Sequence, residues 1–343
     1  MQITIPRPDD WHLHLRDEEM MTSVSVETAR DFGRAIVMPN LIPPVLTGRD
    51  AAAYRDRILA ATKGHDFMPL MTLYLTEHTD PSDLAAAHAS GIVTAGKLYP
   101  AGATTNSADG VRDVTAIMPL LEKMAEIGCP LCIHGEVTDD DVDLFDREAV
   151  FVDTVLDPLR KRLPELRIIL EHLSSKEAVQ YVGDAEDNLA GTITVHHMSL
   201  NRDNILAGGI KPDYYCMPIV KGEEHRRAVR AAATSGSPKY FLGTDSAPHL
   251  MSNKYRATGA PGIFTASKAM PLYAHMFEAD GKLENLEAFA SRNGPAHYKL
   301  PVNMGTLTLE KADTPTKWPD FLDTPLGQVK MFDPLFETHW RVV

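Results

Sequence analysis

Six side chains able to bind a divalent cation or move a proton stand at or just beyond short apolar runs. They are His12 and His14 in WHLHL, Lys97 in IVTAGKL, His134 in CIHGE, His172 in ILEH and Asp245 after YFLGT. His12 and His14 are two apart in an extended run, which sends both imidazoles to one side of a strand. Four imidazoles and a carboxylate make a nitrogen and oxygen ligand set suited to zinc or a neighbouring divalent ion. Any one of these histidines alone is as readily a hydrogen-bonded core or loop residue, so the repeated placement carries the metal reading. Lys97 is the odd member, because a bare ammonium cannot bridge two cations. On residue type it either forms a salt bridge at a strand end or presents its amine to a shared pocket mouth. His196 ends a further apolar run, but periodicity does not fix its direction, and it is left outside the ligand set with His197. His65, His78, His88, His225, His275, His297 and His339 have no comparable placement and read as surface or helix residues.

Eight runs could position these groups, at residues 11–15, 34–38, 67–75, 92–98, 130–135, 167–172, 192–196 and 240–243. They are too continuously apolar for strands with one wet face and read as a parallel sheet covered by helices. Helices are expected between them at 47–62, 81–89, 111–127, 144–163, 175–182, 199–207 and 221–235. This alternation predicts an α/β fold, a (β/α)8 TIM barrel rather than a doubly wound open sheet. The C-terminal strand ends of such a barrel share one rim, where residues distant in sequence converge. No linker divides the chain, so residues 1–343 are expected to form a single domain. The stretch from Met304 to Val343, with little periodicity, is expected to wrap the barrel as a C-terminal extension. The acidic run at 136–148 reads as a solvated loop and a capped helix start.

Charge and composition narrow the function classes. With 34 Lys and Arg against 47 Asp and Glu, the net charge is −13 and no basic patch stands out, which argues against nucleic acid as a partner. No apolar run approaches the roughly 18 residues of a membrane span, and the first residues lack a signal-like pattern, so a cytoplasmic protein without membrane partners is expected. Cys129, Cys132 and Cys216 cannot all pair with one another and lack the density of a secreted disulfide framework.

Longer motifs then point to a family. WHLHLRD at 11–17, MPN at 38–40, GKLYPAGATTNSADGV at 96–111, IHGE at 133–136, EH at 171–172 and GTDSAPH at 243–249 closely resemble the shorter, bacterial-type dihydroorotases, metal-dependent amidohydrolases of pyrimidine biosynthesis. The resemblance extends through YCMPI at 215–219 and NGPAHYKL at 293–300. HxH alone is common among amidohydrolases, whereas the TTN loop after GKLYP, with DSAPH downstream, is specific. The resemblance implies reversible cyclisation of N-carbamoyl-L-aspartate to L-dihydroorotate, a homodimer, and two zinc ions bridged by hydroxide and by Lys97 as its carbamate (N6-carboxylysine). It places His12, His14 and Asp245 on the more buried metal, His134 and His172 on the other, and makes Asp245 the catalytic proton carrier.

The resemblance also assigns the substrate contacts. Arg16, Asn40 and His249 would anchor the substrate carboxylate, with His134 beside it. Met217 would offer backbone groups to the ring, and Pro261, having no N–H, only a carbonyl. Thr104 and Thr105 match a mobile loop that closes over substrate. On residue type alone Arg16 could instead pair with Asp17 or Glu18. Two other functions were weighed, a hydantoin- or dihydropyrimidine-hydrolysing enzyme and a non-catalytic scaffold barrel. Retention of Arg16, Asn40 and the threonine loop weighs against the first, and a complete ligand set against the second.

Overall fold

The computed structural model describes residues 1–343. After a short outer strand β1 (Gln2–Pro6) come the eight expected runs: β2 (Asp9–Leu13), β3 (Arg34–Val37), β4 (Met68–Tyr74), β5 (Val93–Leu98), β6 (Leu131–Ile133), β7 (Ile168–Leu170), β8 (Leu189–Ile193) and β9 (Tyr240–Leu242). Each pairs in parallel with the next, from β2 through to β9. The ring closes just beyond the strands, where Leu13 bridges Ser246, the Asp245 amide donates to His12 O at 2.8 Å and the His14 amide to Ser246 O at 3.0 Å. The result is the expected eight-stranded parallel barrel.

Strand alternation explains what fills it. Trp11, Ile36, Ala95, Cys132, Ile169, Ala190 and Phe241, from seven different strands, form one compact apolar cluster with Met38 and Tyr298. Steps of two along the chain lead from this plug to Asn40, Lys97, His134, Glu171 and Asp245, so a single periodicity sets an apolar layer beneath a polar one. β2 departs from the rule. Its register against β3 shifts between Asp10 and Leu13, and this irregularity lets Trp11 join the plug while His12 reaches the polar layer. A second cluster of 77 buried residues packs the outer faces of the strands against the helices.

Helix starts follow local chemistry. Thr47 and Asp50 form a capping box at Gly48–Ala61, and Asp80 caps Pro81–Ala89. Four expectations need correction. The run at 192–196 is not a strand: β8 ends at Ile193, Thr194 caps the helix Val195–Ser199, and His196 lies within it. The helix expected from 111 begins only at Met118, because Val111 bridges Pro100 and residues 112–117 form turns. Residues 199–207 do not form one helix, since Asn201 caps a separate helix, Arg202–Leu206. Within 144–163 a π turn, Val152–Leu156, interrupts the helix just before Pro158, whose nitrogen has no hydrogen to donate back.

The last segment packs on the barrel as expected but carries more regular structure than its composition suggests. β10 (Thr306–Lys311) lies antiparallel between β1 and β13 (Trp340–Val342), while β11 (Phe321–Thr324) and β12 (Gly327–Lys330) form a hairpin. Gln2 pairs with Glu310, a partnership no local pattern reveals. Trp340 is fully buried and donates its indole N–H to Glu278 on the helix Ala269–Ala279 at 3.0 Å. No helix is long and apolar enough to cross a membrane.

The plug depends on a close approach at Gly294, where a Cβ would fall inside the Trp11 indole. Trp11 is already stacked on Tyr298 at 4.4 Å between ring centroids and cannot retreat. Gly294→Ala is expected to cost about 1–3 kcal/mol or more by overpacking. Urea unfolding followed by tryptophan fluorescence reads this, and a midpoint equal to that of the unaltered protein would refute the plug's rigidity.

Candidate metal centre and substrate pocket

His12, His134, His172 and Asp245 are buried at the rim, with His14 beside them at 11% side-chain exposure. His12 Nε2 lies 3.3 Å from Asp245 Oδ1, His14 Nε2 lies 3.2 Å from the same oxygen, and the two Nε2 atoms are 3.4 Å apart. Ligands about 2.0–2.1 Å from a tetrahedral zinc are separated by roughly 3.3 Å, so this triangle matches one face of such a site. The His172 ring lies tilted against His12 and edge-on to His134, with ring centroids 5.0 and 4.8 Å away, and its buried Nδ1 has no partner. His12, Glu171 and His172 form a second close group of potential ligands. Two adjoining clusters therefore fit a binuclear centre.

Burial lowers the pKa of all four imidazoles, His14 to about 4. They are neutral at pH 7, the form that ligates metal. Burial alone would raise the Asp245 carboxyl, but His12 and His14 pull it well below the usual carboxylate range. Burial also pushes the Lys97 amine down to about 7. Its Nζ contacts Glu171, and it lies 4.8 Å above the Tyr99 ring.

Sequence reasoning missed the carboxylates that hold this shell. Glu171 Oε1 is 3.0 Å from His12 Nδ1, and Glu136 Oε2 is 2.8 Å from His134 Nε2. Glu136 is buried at the rim, which corrects the reading of the start of 136–148 as a solvated loop. Strict alternation allows only one of Glu171 and His172 at the rim, since neighbours on a strand should face opposite ways, and with His172 read as the rim residue Glu171 is passed over. Left-handed backbone at His172, with φ 45°, releases that constraint, and Asp245 has the same φ. Asp10 does similar work one layer down, accepting from the His12 amide at 3.2 Å and from the Thr244 amide at 2.8 Å.

Beside the metal ligands opens a cavity of about 730 Å³, lined by Arg16, Thr104, Thr105, Met217, His249 and Pro261 among others. Arg16 pairs with neither Asp17 nor Glu18. Asp17 instead accepts from Arg57 at 2.7 and 2.9 Å and caps the helix Glu18–Ala29. Arg16 Nε donates to Pro248 O at 3.1 Å and Nη2 lies 3.0 Å from His249 Nε2, leaving a half-buried guanidinium in contact with no carboxylate of the chain. His249 Nε2 is also 2.8 Å from Pro261 O, and the one nitrogen cannot donate there and accept from Arg16 at once. Asn40 Oδ1 lies 2.8 Å from His14 Nδ1 and its amide donates to Thr105 O at 2.9 Å, so it touches both a metal ligand and the loop. Thr105 Oγ1 reaches Pro261 O at 3.5 Å, and Ser107 holds Thr104 from within the loop.

A parallel barrel with two ligand clusters at its C-terminal rim defines a metal-dependent hydrolase of the amidohydrolase class. The amidohydrolase family model matches residues 5–312. The dihydroorotase of Ruegeria sp. (strain TM1040) is 62% identical over 341 residues, covering 99% of each chain. Among solved structures, the dihydroorotase of Campylobacter jejuni superposes with a TM-score of 0.91 at 36% identity, covering 99% of this chain and 97% of its own. The Saccharomyces cerevisiae dihydroorotase in complex with 5-fluoroorotic acid also gives 0.91, at 31% identity, covering 100% and 98%. The chain belongs to the amidohydrolase family and, within it, to the dihydroorotases.

Glu171 stands 3.0 Å from His12 Nδ1 and in contact with Lys97, outside the first ligand triangle, and losing such an outer neighbour weakens metal affinity roughly 10–100-fold. Glu171→Gln is accordingly expected to release zinc to a competing chelator at a lower chelator concentration while remaining folded. Unchanged competition curves would remove Glu171 from the support of the centre.

Proposed function

We propose that this chain interconverts N-carbamoyl-L-aspartate and L-dihydroorotate at a rim site holding two zinc ions. The observation that carries the reading is the half-buried guanidinium of Arg16, in contact with no carboxylate of the chain and lining one pocket with the rim imidazoles and an ionised aspartate. When bound, zinc supplies a Lewis acid and hydroxide at neutral pH. His12, His14 and Asp245 would hold one ion and His134 and His172 the other. Lys97 would bridge them as its carbamate. Glu171, in contact with the Lys97 amine, is placed to accept the one N–H that the carbamate keeps.

Arg16 would grip the free carboxylate of the substrate bidentately, with His249 and Asn40 beside it. Met217 and Pro261 would present backbone groups to the ring. Thr104 and Thr105 would close the loop over it, excluding water and strengthening every charge interaction beneath. In cyclisation Asp245 takes the proton from the ureido nitrogen as that nitrogen bonds to the carboxylate carbon, and passes it to the departing carboxylate oxygen, which leaves as water with a second proton from solvent. In hydrolysis Asp245 returns a proton to the departing amide nitrogen. A planar pyrimidine carboxylate of the 5-fluoroorotic acid type would occupy the same pocket. A hydantoin lacks the carboxylate that Arg16 awaits, which disfavours that second reading. We also infer a cytoplasmic homodimer with 1–343 as one domain, a reading supported by three buried free thiols and by the family.

A metal-quantified assay with carbamoyl aspartate, dihydroorotate and hydantoin tests the function, and turnover of hydantoin alone would overturn it. Asp245→Asn should keep the fold and at least part of the metal while activity falls by orders of magnitude in both directions. A metal-loaded variant with normal rates and pH profile would eliminate Asp245 as proton carrier. Arg16→Ala should leave metal content intact and cost about 2–5 kcal/mol in kcat/KM, as expected for stranding one partner of a buried charge pair. An unchanged kcat/KM would refute its role. Lys97→Ala should lose both activity and the second metal, read by metal analysis.

A further inference from the structure

Lys254 is a buried cation that the reaction as described does not use. It ends the short helix Met251–Lys254, is 4% exposed, and pairs with no carboxylate. Its Nζ donates to Gly262 O at 2.6 Å and to Tyr215 O at 3.0 Å. Tyr215 O also accepts from the Gly262 amide at 2.9 Å, so the ammonium locks both sides of one backbone bond. The two segments it joins, 215–217 and 260–262, carry Met217 and Pro261, which line the pocket beside the metal ligands. Gly262, at φ 149°, lies so close that a Cβ would sit 2.8 Å from His249 Cδ2 and 2.9 Å from Ala247 Cβ, leaving this wall little room to shift. A buried ammonium satisfied only by neutral carbonyls is costly unless an anion nearby repays it.

From this geometry we propose that Lys254 is a positioning residue for the anionic substrate. It clamps the Met217 and Pro261 segments into one recognition wall and adds positive potential behind the carboxylate subsite formed by Arg16 and His249. Burial brings its amine down to about 8, which leaves most of the population protonated at pH 7. Its charge is among those that depress His249, so its field reaches that side chain. Lys254 deepens the dihydroorotase reading and rests on it for the identity of the anion.

The zinc-loaded protein is compared with Lys254→Met, Lys254→Gln and Lys254→Arg using 5-fluoroorotate, 5-fluorouracil as the same ring without a carboxylate, and dihydroorotate as substrate. Lys254→Met and Lys254→Gln should keep the metal content, weaken 5-fluoroorotate binding tenfold or more with little change for 5-fluorouracil, and raise KM more than they lower kcat. Lys254→Arg should recover most of the loss. Amide exchange over residues 259–263 should quicken in the Met variant, which reads the clamp without any ligand. Binding within twofold of the unaltered protein, equal loss for both ligands, or failure of all three variants to fold would each overturn the proposal. An unaltered enzyme that does not turn over dihydroorotate would instead overturn the functional reading, and unchanged exchange over 259–263 would then overturn the clamp on its own.

Discussion

Neutral imidazoles and an ionised aspartate have to be held within ligand distance of one another in a pocket that excludes water. Left to itself, such a cluster is unfavourable: burial opposes charge on every group, and the lone pairs of several rings converge on the same point. The barrel makes it tolerable by distributing the ligands over different strands, each anchored by its own ladder of backbone bonds. Support from below is equally specific. Glu171 steadies His12, Glu136 steadies His134, Asn40 steadies His14, and Asp10 ties the backbone of His12 to Thr244. Where alternation of strand residues would turn His172 away, left-handed backbone at that residue turns it back.

The same economy of charge governs the anion site. A chain of net charge −13 is a poor attractor of anions at long range, yet the half-buried Arg16 and the buried Lys254 both stand without a carboxylate partner. The acidic residues that might have neutralised Arg16 are directed elsewhere, with Asp17 engaged by Arg57 on the neighbouring helix. Local field in a low-dielectric pocket outweighs the screened sum of the surface. A barrel of this kind is compatible with many chemistries, so under the proposed function these cations rather than the fold would favour a carboxylate.

Much of this was legible in order along the chain. The eight apolar runs located every barrel strand except β8, which begins and ends three residues earlier than its run suggests because Thr194 starts a helix. The gathering of His12, His14, His134, His172 and Asp245 at one rim was legible because polar residues at the ends of apolar runs are unusual and recur here at corresponding places. The helix boundaries at 118 and 201 were less legible, since a bridge from Val111 and a capping box at Asn201 outweigh apolar spacing.

By itself the sequence determined the alternation of strands and helices and the residue types at the rim, because each depends on spacing within a few residues. Tertiary structure alone decided which acids serve the centre and which cations stay unpaired. Glu171 and Glu136 gain their roles only when the strand ends converge, and Arg16 stays free only because Arg57 arrives beside Asp17 from another helix. The pairing of β1 with β10 and the reach of Lys254 to Tyr215 and Gly262 are likewise contacts between distant segments. Periodicity encodes which way a side chain leaves its own strand or helix. It carries no information about what another segment, folded against it, will place within hydrogen-bonding distance.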